Sequence, residues 1–398
     1  MLWLPEVFPM PVPLYCPNPA CPNFTSPPRR WLVRYGRYQT HAHGAVQRYL
    51  CRSCRRSLSD QTESMHYFAK LRLPLKAIWL SFLGGASLRE IARRYCLSCP
   101  AVQSAILKLG RQAMAAHLAM LDRLTPRSAL VYDGLRSFVT SQDYPCDITT
   151  VLEPEGETIL TMTHTVMRRG GSTTEAQRAR MRQKLSVWAP RKGTMSGDIS
   201  LLIRELWDYL RPGPGAPALI TTDEQPLYRS LIDRYPVCAH FRLAGLFTHR
   251  RIKGSAPRTQ DNPLFPANYV DRLLRHRVKE HTRESIAFGR NATMQMHRAW
   301  IFACDHNLRR EYRVRRPLLG THAGRAAIAS ELVPQLTRQL FTRRIRVLRK
   351  EIPESVRRVW SAQVITPPVR WRVGQRGSSI RVPAYALADL DPWYQQAS

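Results

Sequence analysis

Residues 129–134 read Ala-Leu-Val-Tyr-Asp-Gly, a short apolar run that ends on the carboxylate of Asp133. Residues 218–223 read Ala-Leu-Ile-Thr-Thr-Asp and end in the same way on Asp223. Short apolar runs bounded by turn signals predict buried strands. A single aspartate at a strand end is often only a turn residue, but two of them on separate strands favour an acidic site at the sheet edge.

The residues around these runs predict a mixed α/β sheet. A Glu-Pro-Glu-Gly turn joins two further runs into a hairpin, which gives three antiparallel strands. The elements expected after Asp133 are strands 147–152 and 158–162, helix 198–210, strand 218–223, helix 226–234, strand 237–243, and a long helical segment from Asn262 to about Arg310. This order is that of ribonuclease H-like nucleases, in which two strand-end carboxylates and a helical acid hold two Mg²⁺ (or Mn²⁺) ions.

Four cysteines near the N-terminus form two close pairs, Cys16 with Cys21 and Cys51 with Cys54. The residues between the pairs predict a β-hairpin. Two cysteine pairs joined by a hairpin are typical of a zinc ribbon, in which four thiolates hold one structural Zn²⁺. Four unrelated buried cysteines are the alternative, which the pairing disfavours.

Two histidines and a third cysteine pair could also bind metal. His41 and His43 lie between the ribbon cysteines and could replace one of them, but their position is more typical of a hairpin tip. Cys96 and Cys99 fall in a turn and at a helix start, so we expect packing residues rather than a second metal site.

The stretch after the ribbon predicts a helix-turn-helix. A first helix from Pro74 stops at a Gly-Gly pair, and a second begins at Ser87 with Glu90 in capping-box spacing. The next helix, from Pro100, would be the recognition helix, and a plain helical hairpin is the alternative. The residues expected to face DNA are Gln103, Ser104 and Lys108.

The charge of the chain indicates a polyanionic partner. The 398 residues carry 61 Lys and Arg against 29 Asp and Glu, a net charge of +32, and 53 of the basic residues are Arg, whose planar guanidinium suits phosphate. Hydrophobic residues make up 44% of the chain, which excludes a disordered basic tail protein. Double-stranded DNA is the expected partner.

One segment, residues 168–192, concentrates this charge and contains Glu175 as its single acid. It is either a phosphate-facing surface or a solvated helical insertion. Its basic residues are Arg168, Arg169, Arg178, Arg180, Arg182, Lys184, Arg191 and Lys192.

The sequence predicts no membrane association. The longest apolar stretch, residues 77–83, is far shorter than the ~20 residues that a spanning helix needs. The N-terminus lacks the basic region of a secretory signal. The nine cysteines are an odd count, and in a reducing compartment the two tight pairs would be thiols or metal ligands rather than a disulfide framework. We therefore expect a cytoplasmic, nucleoid-associated protein.

These observations predict a multidomain chain. The expected divisions are a zinc ribbon over 1–60, a helix-turn-helix domain over 61–122, a ribonuclease H-like catalytic core over 123–312 and a basic C-terminal region over 313–398. Two short strands, 369–373 and 380–383, are expected in the C-terminal region.

The modules, in this order, resemble bacterial insertion-sequence DDE/DDD transposases of the insertion-sequence-one kind. The similarity covers roughly residues 15 to 310 and is most specific at Cys51-Arg-Ser-Cys-Arg-Arg-Ser-Leu-Ser-Asp60, at Asn268-Tyr-Val-Asp-Arg-Leu-Leu-Arg-His276 and at Thr282-Arg-Glu-Ser-Ile-Ala-Phe-Gly-Arg290. The resemblance implies Asp133 and Asp223 as the first two catalytic acids. It also implies a homodimer or larger assembly on DNA, because transposases bring two element ends together.

The resemblance places the third acid on the last helical segment. Alignment with the family motif puts Asn268 where the family has Glu and Asp271 where it has Asn, so the acid and the amide are exchanged. Three residues span nearly one helical turn, so Asp271 can reach the same metal, although an ion pair with Arg275 is the alternative role. Glu280 and Glu284 would lie about 13 and 20 Å further along one continuous helix, too far to share the site.

Three functions are compatible with these modules. The leading hypothesis is a transposase that binds element ends, cuts the phosphodiester and joins the freed 3′-hydroxyl to target DNA. A domesticated or inactive transposase-derived regulator would bind DNA without chemistry, and a stand-alone metal-dependent nuclease would cut without joining. Metal-dependent cleavage and strand joining therefore separate the three.

Overall fold

A computed structural model of the chain describes residues 12–282, 289–313, 315–328, 331–347 and 351–368. Within these ranges it contains twelve α-helices and two β-sheets, which is the mixed α/β class that the sequence predicts. No helix in these ranges is both long enough and apolar enough to cross a membrane. The strands predicted over 369–373 and 380–383, and Glu284, lie outside the described residues.

A three-stranded antiparallel sheet forms the N-terminal module. Strands β1 (Leu32–Thr40) and β2 (Gly44–Cys51) form the predicted hairpin, and β3 (Ser57–Ser59) pairs with the other side of β2. His41 and His43 lie at the tip of this hairpin, which leaves metal binding in the ribbon to the cysteines.

Three helices follow the ribbon: α1 (Leu75–Leu83), α2 (Leu88–Arg94) and α3 (Cys99–Leu121). The capping box predicted at the start of α2 is present. The Ser87 hydroxyl accepts a hydrogen bond from the Glu90 backbone N–H at 3.2 Å, and the Glu90 carboxylate accepts one from the Ser87 N–H at 3.4 Å. Helices α2 and α3 thus have the predicted start, turn and order.

The third cysteine pair does not pack in the core. Cys96 and Cys99 are both exposed, so the prediction that they are packing residues is wrong. Cys96 lies in the turn with a φ of 52°, and Cys99 lies in the first turn of α3. Both positions point away from the buried seam between α2 and α3, where Ile91 and Val102 pack.

The main sheet has five strands in the order β6-β5-β4-β7-β8. They are β4 (Ala129–Val139), β5 (Ser141–Glu153), β6 (Thr158–Val166), β7 (Ala218–Asp223) and β8 (Phe247–Ile252). The first three pair antiparallel as predicted, whereas β7 pairs parallel with β4 and β8 pairs parallel with β7. The two apolar runs that end on aspartates are therefore adjacent strands.

Four helices fill the connections between the later strands: α4 (Glu175–Val187), α5 (Thr194–Trp207), α6 (Pro226–Arg234) and α7 (Pro236–Leu243). Helix α6 has the predicted bounds, and α5 begins four residues before its predicted start. The strand predicted over 237–243 is wrong, because these residues form α7 and the strand follows it as β8. Pro236 suits the first turn of a helix, and Gly245, with a φ of 70°, ends it.

The long helical segment predicted from Asn262 to Arg310 is interrupted. It consists of α8 (Phe265–Arg277), a 3₁₀ helix over Lys279–His281 and α9 (Ala292–Leu308). Asn291 begins α9, because its side-chain oxygen accepts a hydrogen bond from the Met294 N–H at 2.8 Å. The prediction of one continuous helix is therefore wrong.

One hydrophobic core joins the helical region, the main sheet and part of the C-terminal region. It extends from Met65 to Val359, and α3 packs along α9 within it. Three C-terminal helices contribute buried residues to this core: α10 (His322–Arg325), α11 (Leu332–Gln339) and α12 (Glu354–Trp360).

The segment around Arg343 ties the C-terminal region to the ribbon and to α3. The buried carboxylate of Glu63 pairs with the Arg343 guanidinium at 2.8 Å. The Gln112 amide of α3 donates to the Arg343 carbonyl at 2.6 Å, and the Arg346 guanidinium lies 3.6 Å from the centre of the Phe24 ring. These contacts join three parts of the chain that are distant in sequence.

Candidate functional site

Four thiols converge at one end of the ribbon. The Sγ atoms of Cys16, Cys21, Cys51 and Cys54 all lie within 4.8 Å of one another, and all four cysteines are free thiols. The Cys16–Cys54 and Cys21–Cys51 sulfur distances are 3.4 and 3.7 Å. Tetrahedral zinc with Zn–S bonds of about 2.3 Å separates its sulfurs by about 3.8 Å. The cluster could therefore hold a structural metal such as zinc.

The surroundings of these thiols suit metal binding. Burial raises the pKa of the Cys51 thiol, but the Cys54 backbone N–H and the Asn23 amide outweigh burial and lower that pKa to about 6. The Asn23 Nδ2 donates to the Cys51 sulfur at 3.2 Å. Trp31 and Leu58 pack against the cysteines and form the remainder of this small core.

Asp133 and Asp223 lie at the same level on neighbouring strands. Asp223 ends β7 as predicted, but β4 continues past Asp133 to Val139, so the prediction that this strand ends at Asp133 is wrong. The parallel pairing of β4 with β7 sets Val131 opposite Thr221. Continuing this register by two residues sets Asp133 level with Asp223, with both side chains on the same face. Because adjacent strands are about 4.8 Å apart, the two carboxylates are near neighbours.

Backbone donors orient both carboxylates. The Asp133 Oδ1 accepts from the Gly134 N–H at 2.8 Å, and the Asp223 Oδ1 accepts from the Gln225 N–H at 3.1 Å. Burial raises the pKa of Asp133 to about 6; the Gly134 N–H opposes this increase, and the charge of Asp223 adds to it. A bound cation would relieve this repulsion between carboxylates.

Helix α8 brings the third predicted acid to the same region. It contacts both β4 and β5, and Asp271 is half-buried on it, one turn after Asn268. Burial is the main cause that raises the pKa of Asp271 well above its usual range, and the charge of Asp133 adds to this increase. The positive charge of Arg275 opposes this increase, and the Arg275 guanidinium donates to the Arg136 carbonyl at 2.9 Å, which ties α8 to β4.

Two further charged residues act on this cluster and were missed by the sequence analysis. Asp147 of β5 is buried, and its charge contributes to raising the pKa of both Asp133 and Asp271. Strand alternation puts Asp147 on the face of the sheet opposite to Asp133. Its carboxylate pairs there with the Arg136 guanidinium at 3.2 Å. Arg258, exposed in the loop after β8, lowers both pKa values. Neither residue follows an apolar run, so the pattern that predicted Asp133 and Asp223 could not predict Asp147 or Arg258.

Glu280 is separated from this cluster by its own ion pair. It lies in the 3₁₀ helix after α8, is buried, and pairs with Arg298 of α9. The neighbouring His281 shares a hydrogen bond of 3.0 Å with the Ser137 hydroxyl of β4. The sequence argument from distance along one helix was wrong, and the Glu280 carboxylate is instead occupied by Arg298.

The two candidate metal sites differ in how closely their potential ligands approach one another. Among the described residues, the four cysteines are the one group of three or more potential ligands that meet closely enough to hold an ion. Asp133, Asp223 and Asp271 do not meet in this way, so a cation would have to draw their carboxylates together. All three are half-buried.

The residues predicted to face DNA on α3 differ in exposure. Gln103 and Ser104 are exposed near its start, as expected of a recognition helix. Lys108 is half-buried, and burial, followed by the charge of Arg344, lowers the pKa of its ammonium. Lys108 is thus less accessible than Gln103 and Ser104, although Ser104 and Arg111 on the same face of α3 are exposed.

The basic segment forms the exposed helix α4, which has no buried residue. Arg168 is exposed, whereas Arg169 and Lys184 pair with Asp143 at 3.5 and 2.5 Å. Because β6 runs in the same direction as β4, the segment follows the end of β6 at Val166, four residues beyond Met162, which lies level with Asp133. A solvated helix in this position can still face a polyanion.

Comparison with models of known protein families gave no match, and a search of curated proteins gave none. The function must therefore be inferred from the cysteine cluster, the aspartates and the basic surface of this chain.

We predict that Cys16, Cys21, Cys51 and Cys54 bind one Zn²⁺ per chain. Changing any of them to Ser should remove the zinc and unfold the ribbon, because the metal supplies much of the folding free energy of so small a module. Metal analysis and limited proteolysis would check this. Cys96→Ser, at an exposed thiol, is the matched control and should keep the metal; zinc-free wild-type protein with an intact ribbon would contradict the prediction.

We also predict that Asp133→Asn stabilises the zinc-loaded protein when Mg²⁺ and Mn²⁺ are absent. Since the folded-state pKa of Asp133 is raised from 3.8 to about 6, ionisation of this group lowers stability as the pH rises through that interval. At pH 8, without chelator and without added Mg²⁺ or Mn²⁺, the variant should gain about 1 kcal/mol in free energy of unfolding, a figure reduced for partial exposure. Asp261→Asn, at an exposed loop position, should leave the melting temperature unchanged, and a less stable Asp133→Asn would argue against carboxylate repulsion.

Proposed function

We propose that this chain is a DNA transposase that cuts and joins DNA at Asp133, Asp223 and Asp271. The observation that carries the proposal is the register between β4 and β7, which sets two aspartates level on one face of the sheet beneath α8. Burial and a neighbouring carboxylate raise the pKa of Asp133 and of Asp271, so their ionised forms are costly to the fold, and such clusters are typical of functional sites.

The order of the strands supports the same proposal. Three antiparallel strands followed by two parallel strands, with helices between the later ones, match the order expected of ribonuclease H-like nucleases. Here Asp223 ends β7, and Asp133 lies level with it within β4, on the two central strands where that architecture has its acids.

The chemistry proposed is displacement at a phosphodiester. Asp133, Asp223 and Asp271 would hold Mg²⁺ or Mn²⁺, hard ions that prefer carboxylate oxygens. When bound, the metal would stabilise negative charge on the phosphate and on the leaving oxygen. The chain itself orients the carboxylates through backbone N–H groups, and the exposed Arg258 is available to contact the phosphate.

The N-terminal modules would recognise the DNA. A Zn²⁺ on the four cysteines would hold the ribbon, and the exposed start of α3 would read base edges in the major groove. Helix α4 would contact the phosphate backbone near the acids. Because transposition brings two element ends together, we propose that a homodimer or larger assembly forms on DNA.

We predict that Asp133→Asn, Asp223→Asn and Asp271→Asn each reduce Mg²⁺-dependent cleavage by about a hundredfold or more, while DNA affinity changes little. Each substitution removes a metal-binding charge but leaves the side chain nearly the same size. The assay is cleavage of duplex DNA taken from inverted repeats that flank the gene.

Glu280→Gln is the matched control for these variants, because its carboxylate pairs with Arg298. It should cut DNA at a rate close to wild type once its folded fraction is matched. Cleavage retained by an aspartate variant would remove that residue from the site. Wild-type cleavage without strand joining would favour a nuclease, and binding without cleavage would favour a regulator.

We predict that Gln103→Ala lowers discrimination between element-end and random DNA by about tenfold, because an exposed amide at the start of α3 can read a base edge. Arg168→Ala should weaken binding to both DNAs alike and reduce the salt dependence, as expected of a phosphate contact. Fluorescence anisotropy at several salt concentrations measures both effects. Gln260→Ala is the control at an exposed loop amide, and equal loss on both DNAs from Gln103→Ala would argue against a recognition role for α3.

A further inference from the structure

Phe68 is the most exposed aromatic side chain among the described residues. It lies in the loop between the ribbon and α1 and is 85% exposed. Its ring meets the Tyr67 ring edge-on, with centroids 4.5 Å apart, and Leu71 is also exposed nearby. The loop thus presents a small apolar patch to solvent.

The backbone conformation of Phe68 is unfavourable as well as its exposure. Its φ of 54° is in the left-handed region, which bulky residues rarely adopt and which glycine adopts freely. Hydrogen bonds hold the loop in place, from the Tyr67 N–H to the Ser64 carbonyl at 3.1 Å and from the Ala69 N–H to the His66 carbonyl at 2.9 Å. A strained, exposed phenylalanine contributes little to folding, and strain of this kind is typical of functional positions.

The surface around Phe68 is positively charged. Residues 64–89 contain no acid, and the preceding Glu63 is buried in its pair with Arg343. Lys70, two residues after Phe68, is exposed, and the Arg344 guanidinium lies 4.5 Å from the centre of the Tyr67 ring. An apolar patch surrounded by cations and lacking acids suits a nucleic acid, which offers phosphates and flat apolar bases.

The patch also lies where the two predicted DNA-binding modules meet. The His66 ring, two residues before Phe68, is 5.7 Å from the ring of His43 at the tip of the ribbon hairpin. Burial is the main cause that lowers the pKa of His66, and the charge of Lys108 on α3 contributes to it. The Phe68 loop is therefore close to both the ribbon and the recognition helix.

We propose that Phe68 is a wedge that inserts between adjacent base pairs of bound duplex DNA, with Lys70 and Arg344 holding phosphates beside it. The proposal depends on the DNA binding proposed above and extends it to a deformation of the DNA. Apolar side chains that enter a base step unstack it and bend the duplex, so more protein surface reaches the backbone.

The test uses full-length, zinc-loaded protein and a pool of duplexes of one mixed sequence, each with 2-aminopurine at a different position. Wild type should raise the fluorescence of 2-aminopurine at one position or a few, because unstacking relieves quenching. Phe68→Ala should abolish this increase. It should also weaken DNA binding about tenfold, because one stacking contact between the ring and a base is lost. Phe68→Trp should retain both properties.

Two further variants separate the wedge from a structural role. Phe68→Gly should lose the fluorescence increase but melt at the same or a higher temperature, because glycine accepts the backbone conformation at this position. Leu318→Ala, at another fully exposed apolar residue, should behave like wild type.

The outcomes are distinct. Wild-type binding without local unstacking, or unstacking unchanged in Phe68→Ala, would overturn the wedge and leave the proposed function intact. Failure of wild type to bind any duplex would overturn both. If Phe68→Ala alters the oligomeric state without DNA while binding and unstacking are unchanged, the patch is a contact between copies of this chain and the wedge is wrong.

Discussion

The parallel pairing of β4 with β7 is the constraint on which the rest of the fold depends. It joins two segments ninety residues apart and puts β4 at the centre of the sheet, between β5 and β7. The same register sets Asp133 level with Asp223. Helices α3 and α9 pack together in the core, and α9 also contacts β6.

Polar groups within this core are paired across distant segments. The Trp79 indole donates to the Asp305 carboxylate at 3.1 Å, and that carboxylate also pairs with Arg277 at 2.9 Å. Removal of one partner would leave the other unsatisfied in a dry environment, which costs more than the hydrogen bond itself contributes. At the candidate site, by contrast, neighbouring carboxylates oppose ionisation: after burial, the charge of Asp223 raises the pKa of Asp133, and the charge of Asp133 raises that of Asp271.

The sequence predicted the features that depend on local pattern. Cysteine spacing predicted the thiol cluster, capping spacing predicted the start of α2, and apolar runs predicted β4 and β7. Features that depend on tertiary context were missed: residues 237–243 have a pattern that fits a strand or a helix, and Asn291 restarts a helix that periodicity alone would continue. Asp147 and Arg258 reach the candidate site only through sheet pairing and loop position, which no sequence spacing reports. The assignment of catalytic acids stays a prediction.

The contact between Glu63 and Arg343 joins residues 280 positions apart. During synthesis the ribbon precedes this bridging segment, and its four cysteines need no later residue to come together. The contacts that Arg343 and its neighbours make with Glu63, Phe24 and α3 can form only after that segment has left the ribosome. Synthesis of the bridging segment, rather than folding of the ribbon itself, therefore sets the earliest moment at which these contacts join the ribbon to α3.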